Sequence, residues 1–86
     1  MDDYSFDDFK RDLRIGHEIE LCYKGQIYVV AYSPYDSSER ILLFYKAYDE
    51  ESILEYKSTE EFLQRGSING NKLEDLWEDI VVEMIF

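Results

Sequence analysis

The 86-residue sequence predicts an α+β fold, in which an N-terminal helix precedes a four-stranded antiparallel sheet and two C-terminal helices pack on one face of that sheet. Between residues 18 and 57, apolar residues alternate with polar ones or run in short blocks, as they do in strands. Helix-capping signals at Ser5 and Ser58 open helical patterns on either side of this region. No linker or shift in composition divides the chain, so residues 1–86 are expected to form one domain.

The first helix is predicted from its cap and its apolar spacing. Ser5 can accept a hydrogen bond from the first turn, and Phe6, Phe9 and Leu13 share one helical face. Gly16 can end the helix because glycine readily takes the left-handed conformation.

The first two strands, 18–23 and 26–32, form a hairpin whose register depends on the loop length. A two-residue loop places Leu21 opposite Tyr28, whereas a three-residue loop places it opposite Ile27. We expect the three-residue loop, because it separates an apolar face from a mixed acidic and aromatic face. The expected apolar face holds Ile19, Leu21, Ile27, Val29 and Ala31, and the other face holds Glu18, Glu20, Tyr28, Val30 and Tyr32.

The remaining strands follow a loop that contains the only proline. Residues 33–39 form that loop, and the nearly continuous apolar run 40–48 predicts a third strand that is partly covered on both faces. Asp49–Glu51 is expected to be a turn, and 53–57 an edge strand whose charges discourage edge-to-edge pairing.

Two C-terminal helices are predicted from capping sequences. Residues 58–61 (STEE) form a capping box, Gly66 ends that helix, and residues 67–70 form a turn. Asn71 is the expected cap of a third helix, in which Trp77 packs into the core. The expected inward face of this helix comprises Leu73, Leu76, Trp77, Ile80, Val81 and Met84.

The charge balance limits the classes of partner. Nine Lys and Arg against twenty Asp and Glu give a net charge of −11. Direct binding to nucleic acid or to an anionic membrane is therefore disfavoured, because both are negatively charged. A basic protein partner is favoured, because complementary fields speed association and exclude wrong partners.

No pattern of catalytic or metal-ligating residues is found. His17 is the only histidine and Cys22 the only cysteine, so neither a zinc site nor a disulfide is expected. The 66–70 segment lacks the lysine of a phosphate-binding loop, and Asp49–Glu51 is too short for a calcium loop. We expect no enzyme activity, metal or cofactor, and a cytoplasmic location because no leader-peptide pattern or membrane span is found.

The acidic residues are the candidate partner-binding residues. On the third predicted helix, Asp75, Glu78 and Asp79 are spaced so that like charges would cost about 0.2–0.5 kcal/mol per pair. Such a cluster indicates either complementarity to a basic groove or a merely solvated helix face, and both interpretations stay open. The full candidate set is Asp36, Tyr48, Asp49, Glu50, Glu51, Glu74, Asp75, Glu78 and Asp79.

Two resemblances extend this interpretation. The segment 68–80 (INGNKLEDLWEDI), which follows STEEF, resembles small acidic proteins of Gram-positive bacteria and their phages. It covers about the last third of the chain and implies no activity. In size, acidity and lack of catalytic residues, the whole chain is similar in type to DNA-mimicking phage inhibitors of the anti-CRISPR and anti-restriction kinds. No motif carries this second likeness, so it assigns no residue a role.

These observations predict a non-enzymatic inhibitor that occupies a basic, nucleic-acid-binding surface of a partner such as a nuclease. One alternative is an immunity or antitoxin protein that neutralises a basic toxin. Another is a bacterial housekeeping domain with an unknown ligand. A ligand pocket lined by Tyr28, Val30 and Tyr32 would favour this alternative. The apolar third strand and the 82–86 terminus fit either a core or a dimer interface.

Overall fold

The computed structural model describes residues 4–33 and 40–86, and it has the predicted α+β class. Within these residues, the helices are α1 (Phe6–Ile15), α2 (Thr59–Arg65) and the single turn α3 (Leu73–Leu76), with 3₁₀ turns at Glu50–Ser52 and Trp77–Asp79. The strands are β1 (Ile19–Tyr23), β2 (Gln26–Ser33), β3 (Ile41–Lys46), β4 (Leu54–Tyr56), β5 (Ser67–Ile68), β6 (Asn71–Lys72) and β7 (Ile80–Ile85). Five strands form one antiparallel sheet in the order β4-β3-β2-β1-β7, and β5 and β6 form a separate small hairpin.

Helix α1 forms as its capping sequence predicts. The Ser5 hydroxyl accepts from the Asp8 N–H at 3.1 Å, and the Asp8 carboxylate accepts from the Ser5 N–H at 3.1 Å. Hydrogen bonds to the Asp8 carboxylate from the Ser5 backbone and side chain lower the pKa of Asp8. Gly16 ends the helix with φ 112°, and Phe9 and Leu13 are its buried residues.

The hairpin of β1 and β2 has the two-residue loop, so the expected three-residue loop is wrong. Leu21 lies opposite Tyr28, and both loop residues have positive φ, 50° at Lys24 and 80° at Gly25. This pattern is that of a type I′ turn, whose twist matches the twist of the flanking strands. The expected division of the two faces is therefore also wrong. The buried face of this hairpin holds Ile19, Leu21, Tyr23, Tyr28, Val30 and Tyr32.

Tyr32 can occupy the buried face because its hydroxyl finds partners there. The Tyr32 hydroxyl donates to the Leu13 carbonyl oxygen at 2.7 Å and lies 2.7 Å from the Thr59 hydroxyl. One side chain of the sheet therefore contacts both α1 and the start of α2. Sequence pattern alone does not reveal these partners, which come from distant segments.

The expected long third helix is wrong beyond its first turns. Helical structure ends at Asp79, and the chain continues as β7, which pairs with β1 and adds a fifth strand to the sheet. Ile80 and Val82 are buried while Val81 is 51% exposed, which is the alternation of a strand. The edge of β1 that β7 covers would otherwise keep unpaired backbone groups, and strand pairing satisfies them.

Three smaller differences concern the loops and caps. The predicted 67–70 turn comprises strand β5 and the two-residue tip of the β5–β6 hairpin, and Lys72, rather than Asn71, precedes α3 without a side-chain cap. Strand β3 ends at Lys46, before the predicted end at Tyr48. Ser33 belongs to β2, and the rest of the predicted 33–39 loop lies outside the described residues.

The core lies between the helices and one face of the sheet. Ring centroids are 6.4 Å apart for Phe9 and Phe62, 5.1 Å for Phe44 and Phe62, and 4.8 Å for Phe9 and Trp77. Trp77 packs against this cluster as predicted. Gly66 lies so close to Phe62 that a Cβ there would be 2.7 Å from the ring.

Candidate interaction surface

The first predicted acidic segment is a short turn between β3 and β4. Asp49 caps the 3₁₀ turn by accepting from the Glu51 N–H at 3.2 Å. The side chains of Asp49, Glu50 and Glu51 are all exposed. The cap therefore holds three carboxylates in solvent at an edge of the sheet.

The second acidic segment precedes β7. Leu73 is buried and Trp77 packs on Phe9, so the acidic residues of this segment point away from the core. The Trp77 indole donates to the Tyr4 carbonyl oxygen at 3.1 Å, which ties the segment to the start of α1. Glu74, Asp75, Glu78 and Asp79 are all exposed.

The strand registers place both segments at the same end of the sheet. Ile80, which begins β7, lies opposite Tyr23 at the end of β1, and Lys46, which ends β3, lies opposite Tyr28 near the start of β2. The 49–51 turn follows β3 and the 77–79 turn precedes β7, so both lie at the end that carries the β1–β2 loop. They lie towards opposite edges, three to four strand spacings or about 14–19 Å apart. We call the seven carboxylates of these segments the acidic end: Asp49, Glu50, Glu51, Glu74, Asp75, Glu78 and Asp79.

The acidic end is not neutralised by described ion pairs. The described pairs join Lys10 to Asp7 at 3.0 Å, Arg11 to Asp8 at 2.8 Å and to Asp12 at 3.4 Å, and Arg14 to Glu60 at 2.9 Å. All four involve α1, and none involves the acidic end. By register, Lys24 and Lys46 lie between its two segments, with the Lys24 ammonium 5.3 Å from the centroid of the Tyr23 ring.

The tyrosines near the acids divide between core and surface. Tyr48 is fully exposed with φ 65°, directly before Asp49, so it remains available beside the first acidic segment. Tyr32 is buried and hydrogen-bonded, and it is not available to a partner. Asp36 and Tyr35 lie outside the described residues.

The pocket envisaged for a housekeeping domain does not have the expected lining. Tyr28, Val30 and Tyr32 are buried in the core, with the Tyr28 ring stacked on Phe44 at 5.6 Å. A cavity of about 120 Å³ borders Tyr28 and Phe44 near β4 and the β5–β6 hairpin, and neither Val30 nor Tyr32 lines it. This cavity is lined mainly by aromatic, aliphatic and small polar side chains, namely Tyr28, Phe44, Tyr45, Lys46, Ser52, Leu54, Ser67, Ile68 and Asn69.

His17, Cys22 and the Tyr4–Asp12 pair belong to different segments of the described chain. The His17 Nδ1 lies 2.6 Å from the Phe86 backbone oxygen, and Cys22 is half-buried on the sheet. Tyr4 donates to the Asp12 carboxylate, and burial together with this contact raises the pKa of Tyr4. Over residues 4–33 and 40–86, no cluster of three metal-ligating side chains is found, and no helix has the length and hydropathy to cross a membrane.

The second face of the sheet carries an apolar surface that the sequence pattern did not predict. Leu43 and Tyr45 of β3 lie opposite Ala31 and Val29 of β2, on the face away from the core. We call this surface the open face, and it comprises Cys22, Ile27, Val29, Ala31, Ile41, Leu43, Tyr45, Val81 and Met84. The nearly continuous apolar run of the third strand was its signal, but the incorrect hairpin register assigned several of these residues to the core.

Comparison with known proteins adds no relative. No family model, no curated protein and no solved structure matches the chain.

Proposed function

We propose that this protein is a non-enzymatic binding protein that occupies a basic, nucleic-acid-binding surface of a partner protein. In this proposal, the carboxylates of the acidic end stand in for nucleic-acid phosphates, as in a phage inhibitor that mimics DNA. The supporting observation is that seven exposed carboxylates gather at one end of the sheet without a described ion pair.

The surface around α1 and the acidic end differ in how far their carboxylates are paired with basic side chains. Around α1, acids are paired with Lys10, Arg11 and Arg14, so much of their field is cancelled at a distance. At the acidic end, Lys24 and Lys46 face a larger number of carboxylates, so a net negative field extends into solvent. Such a field accelerates the encounter with a positive surface and weakens as salt is added.

The direct experiment is a competition assay with purified partners. A panel of Lys/Arg-rich DNA-binding domains, including nuclease domains, is bound to a fluorescent DNA duplex, and the protein is titrated in. The proposal expects that the protein displaces the duplex from at least one domain. A failure to displace the duplex from any basic domain of the panel would refute it.

Matched charge variants identify the surface responsible. Asp49→Asn/Glu50→Gln/Glu51→Gln removes three charges from the acidic end. Each such exposed charge contributes a fraction of a kcal/mol to binding. The concentration of protein that displaces half of the duplex should therefore rise by about tenfold.

The control variant removes the same number of charges elsewhere. Asp7→Asn/Glu60→Gln/Glu61→Gln lies on α1 and α2 and changes the net charge equally. Its displacement should stay within about twofold of the unmodified chain, since the acidic end is intact. An equal loss in both variants would mean that net charge alone, and not the acidic end, governs binding.

A further inference from the structure

The open face does not have the composition of a solvated sheet face. An antiparallel sheet with one face in water usually alternates apolar residues with polar ones. Here β3 presents Leu42 and Phe44 to the core and Leu43 and Tyr45 to the opposite side. Val81 and Met84 on β7 are 51% and 49% exposed. The described helices pack on the other face, so no described helix covers these side chains.

The extent of the open face suits the centre of a protein interface. The four strands that carry the open face, at about 4.8 Å spacing, and six residues at about 3.3 Å rise give a footprint of roughly 400 Å². This value is within the range of the largest apolar patch on ordinary monomers, and such patches are often functional. A standard interface buries about 800 Å² per partner, so the apolar footprint would need a surrounding rim.

That rim is acidic at the β3–β4 edge. Glu55 of the edge strand β4 lies opposite Leu43, whereas Glu20 lies between Val29 and Met84, within the open face. A groove at the β3 edge joins Leu43 to Asp49 of the acidic end, and Tyr48 lines it too. The open face is therefore continuous with the acidic end.

The acidic rim decides between a second copy and a different partner. In a two-fold dimer, each subunit uses the same patch, so Glu20 and Glu55 of both copies would be brought together in one interface. Each chain also carries a net charge of −11. A partner with an apolar centre and Lys or Arg at its margin matches both the centre and the rim.

We propose that the open face is the docking surface for such a partner protein, one whose apolar patch is bordered by basic side chains. This proposal rests on the basic partner of the proposed function and assigns to it a second contact area beside the acidic end. The acidic end accelerates and orients the encounter, and the open face provides the buried apolar contact.

The test uses synthetic amphipathic peptides of about 18 residues, roughly 27 Å long as helices, titrated into the ¹⁵N-labelled full chain. One peptide has Leu on one face and Lys on the other, a second has Glu in place of Lys, and a third scrambles the Lys peptide so that no apolar face remains. Amide shifts locate each binding site. The proposal expects that the Leu/Lys peptide shifts amides of Val29, Leu43 and Tyr45, and binds at least tenfold more tightly than either control peptide.

Two variants distinguish binding at the open face from non-specific hydrophobic binding. Val29→Thr/Leu43→Thr places a β-branched residue at both strand positions while it removes apolar surface, and it should weaken binding of the Leu/Lys peptide by about tenfold. Leu54→Thr is the matched control, because Leu54 is 52% exposed but lies opposite Phe44, on the other face. Unfolding curves for both variants verify that each remains folded.

The remaining outcomes overturn the proposal in distinguishable ways. If the Leu/Lys peptide shifts only amides of the acidic end, the open face is not the docking surface, while the proposed function is unaffected. If the Leu/Glu peptide binds the open face equally well, the basic margin is wrong. If the chain alone forms a dimer in sedimentation experiments, and Val29→Thr/Leu43→Thr abolishes that dimer, a second copy is the occupant.

Discussion

Two adjacent valines test whether the C-terminal segment is a strand. Val82 is 7% exposed on the covered face of β7, and Val81 is 51% exposed on the open face. A helix over this segment, as the apolar spacing suggested, would instead turn Val81 inward. Valine to alanine removes two methylene equivalents, worth about 0.8 kcal/mol each when buried.

The magnitudes follow from the two exposures. Val82→Ala should lower the free energy of unfolding by about 1.5–2.5 kcal/mol, because nearly the whole transfer term is lost and a cavity adds to it. Val81→Ala should cost less than about 1 kcal/mol, because half of its side chain is already in water. The loss of β propensity is common to both variants, so it cancels in their difference.

Urea unfolding followed by the fluorescence of Trp77, the only tryptophan, measures both values. Its ring packs on Phe6 and Phe9, at 5.2 and 4.8 Å between centroids, so its emission reports on the core. The two variants should differ by at least about 1 kcal/mol, with Val82→Ala the less stable. A larger cost for Val81→Ala would refute the strand and its pairing with β1.

Three further predictions concern the hairpin, the helix contacts and the pH dependence. Tyr32→Phe should lower the free energy of unfolding in urea by about 1–2 kcal/mol because two hydroxyl contacts disappear. Tyr45→Phe on the open face should leave it nearly unchanged, and equal losses in the two variants would contradict this. Gly25→Ala should lower the free energy of unfolding by about 1–2 kcal/mol because φ is 80° there. Lys24→Asn should raise it, because a type I′ turn favours Asn-Gly. A Gly25→Ala variant as stable as the unmodified chain would contradict the turn. The hydrogen bonds from an arginine of α1 lower the pKa of Glu60, so its contribution is present above the ordinary carboxyl pKa near 4.3 and lost as pH falls through the lowered value. Glu60→Gln should therefore be less stable than the unmodified chain at pH 7 and equal to it at pH 2, and a difference that persists at pH 2 would contradict the pairing.

The local signals in the sequence were sufficient for the elements whose ends are fixed by short-range chemistry. Ser5 and Gly16 mark the ends of α1, and Ser58 opens α2 by accepting from the Glu61 N–H at 3.1 Å. These interactions depend on residues at most a few positions apart. They could therefore be predicted without knowledge of the rest of the fold.

The elements that failed depend on long-range pairing. Residues 80–85 (IVVEMI) fit both a helical and a strand pattern, and pairing with the free edge of β1 decides for the strand. In the first hairpin, each register gives a plausible apolar face. The tyrosine face is buried because α1 and α2 bring hydrogen-bond partners to Tyr32, which the local pattern does not contain.

The candidate site shows the same division. The exposure of the acidic residues followed from composition, but the gathering of two segments at one end of the sheet depends on the strand order. The incorrect long helix still placed Asp75, Glu78 and Asp79 on the solvent side, because the first helical turns do form. The open face could not be found from the sequence while its residues were assigned to the core.

The salt dependence of association tests the central claim, binding through the acidic end, most directly. The partner is a basic domain from which the protein displaces the DNA duplex. Its association rate with the protein is measured from 0.01 to 1 M ionic strength, over which the Debye length falls from about 30 to 3 Å. The comparison variant neutralises six of the seven carboxylates of the acidic end: Asp49→Asn, Glu50→Gln, Glu51→Gln, Asp75→Asn, Glu78→Gln and Asp79→Asn. We predict that the rate for the unmodified chain falls by at least about tenfold while the variant is slow and nearly insensitive to salt. Equal rates and equal salt dependence for the two proteins would contradict the claim.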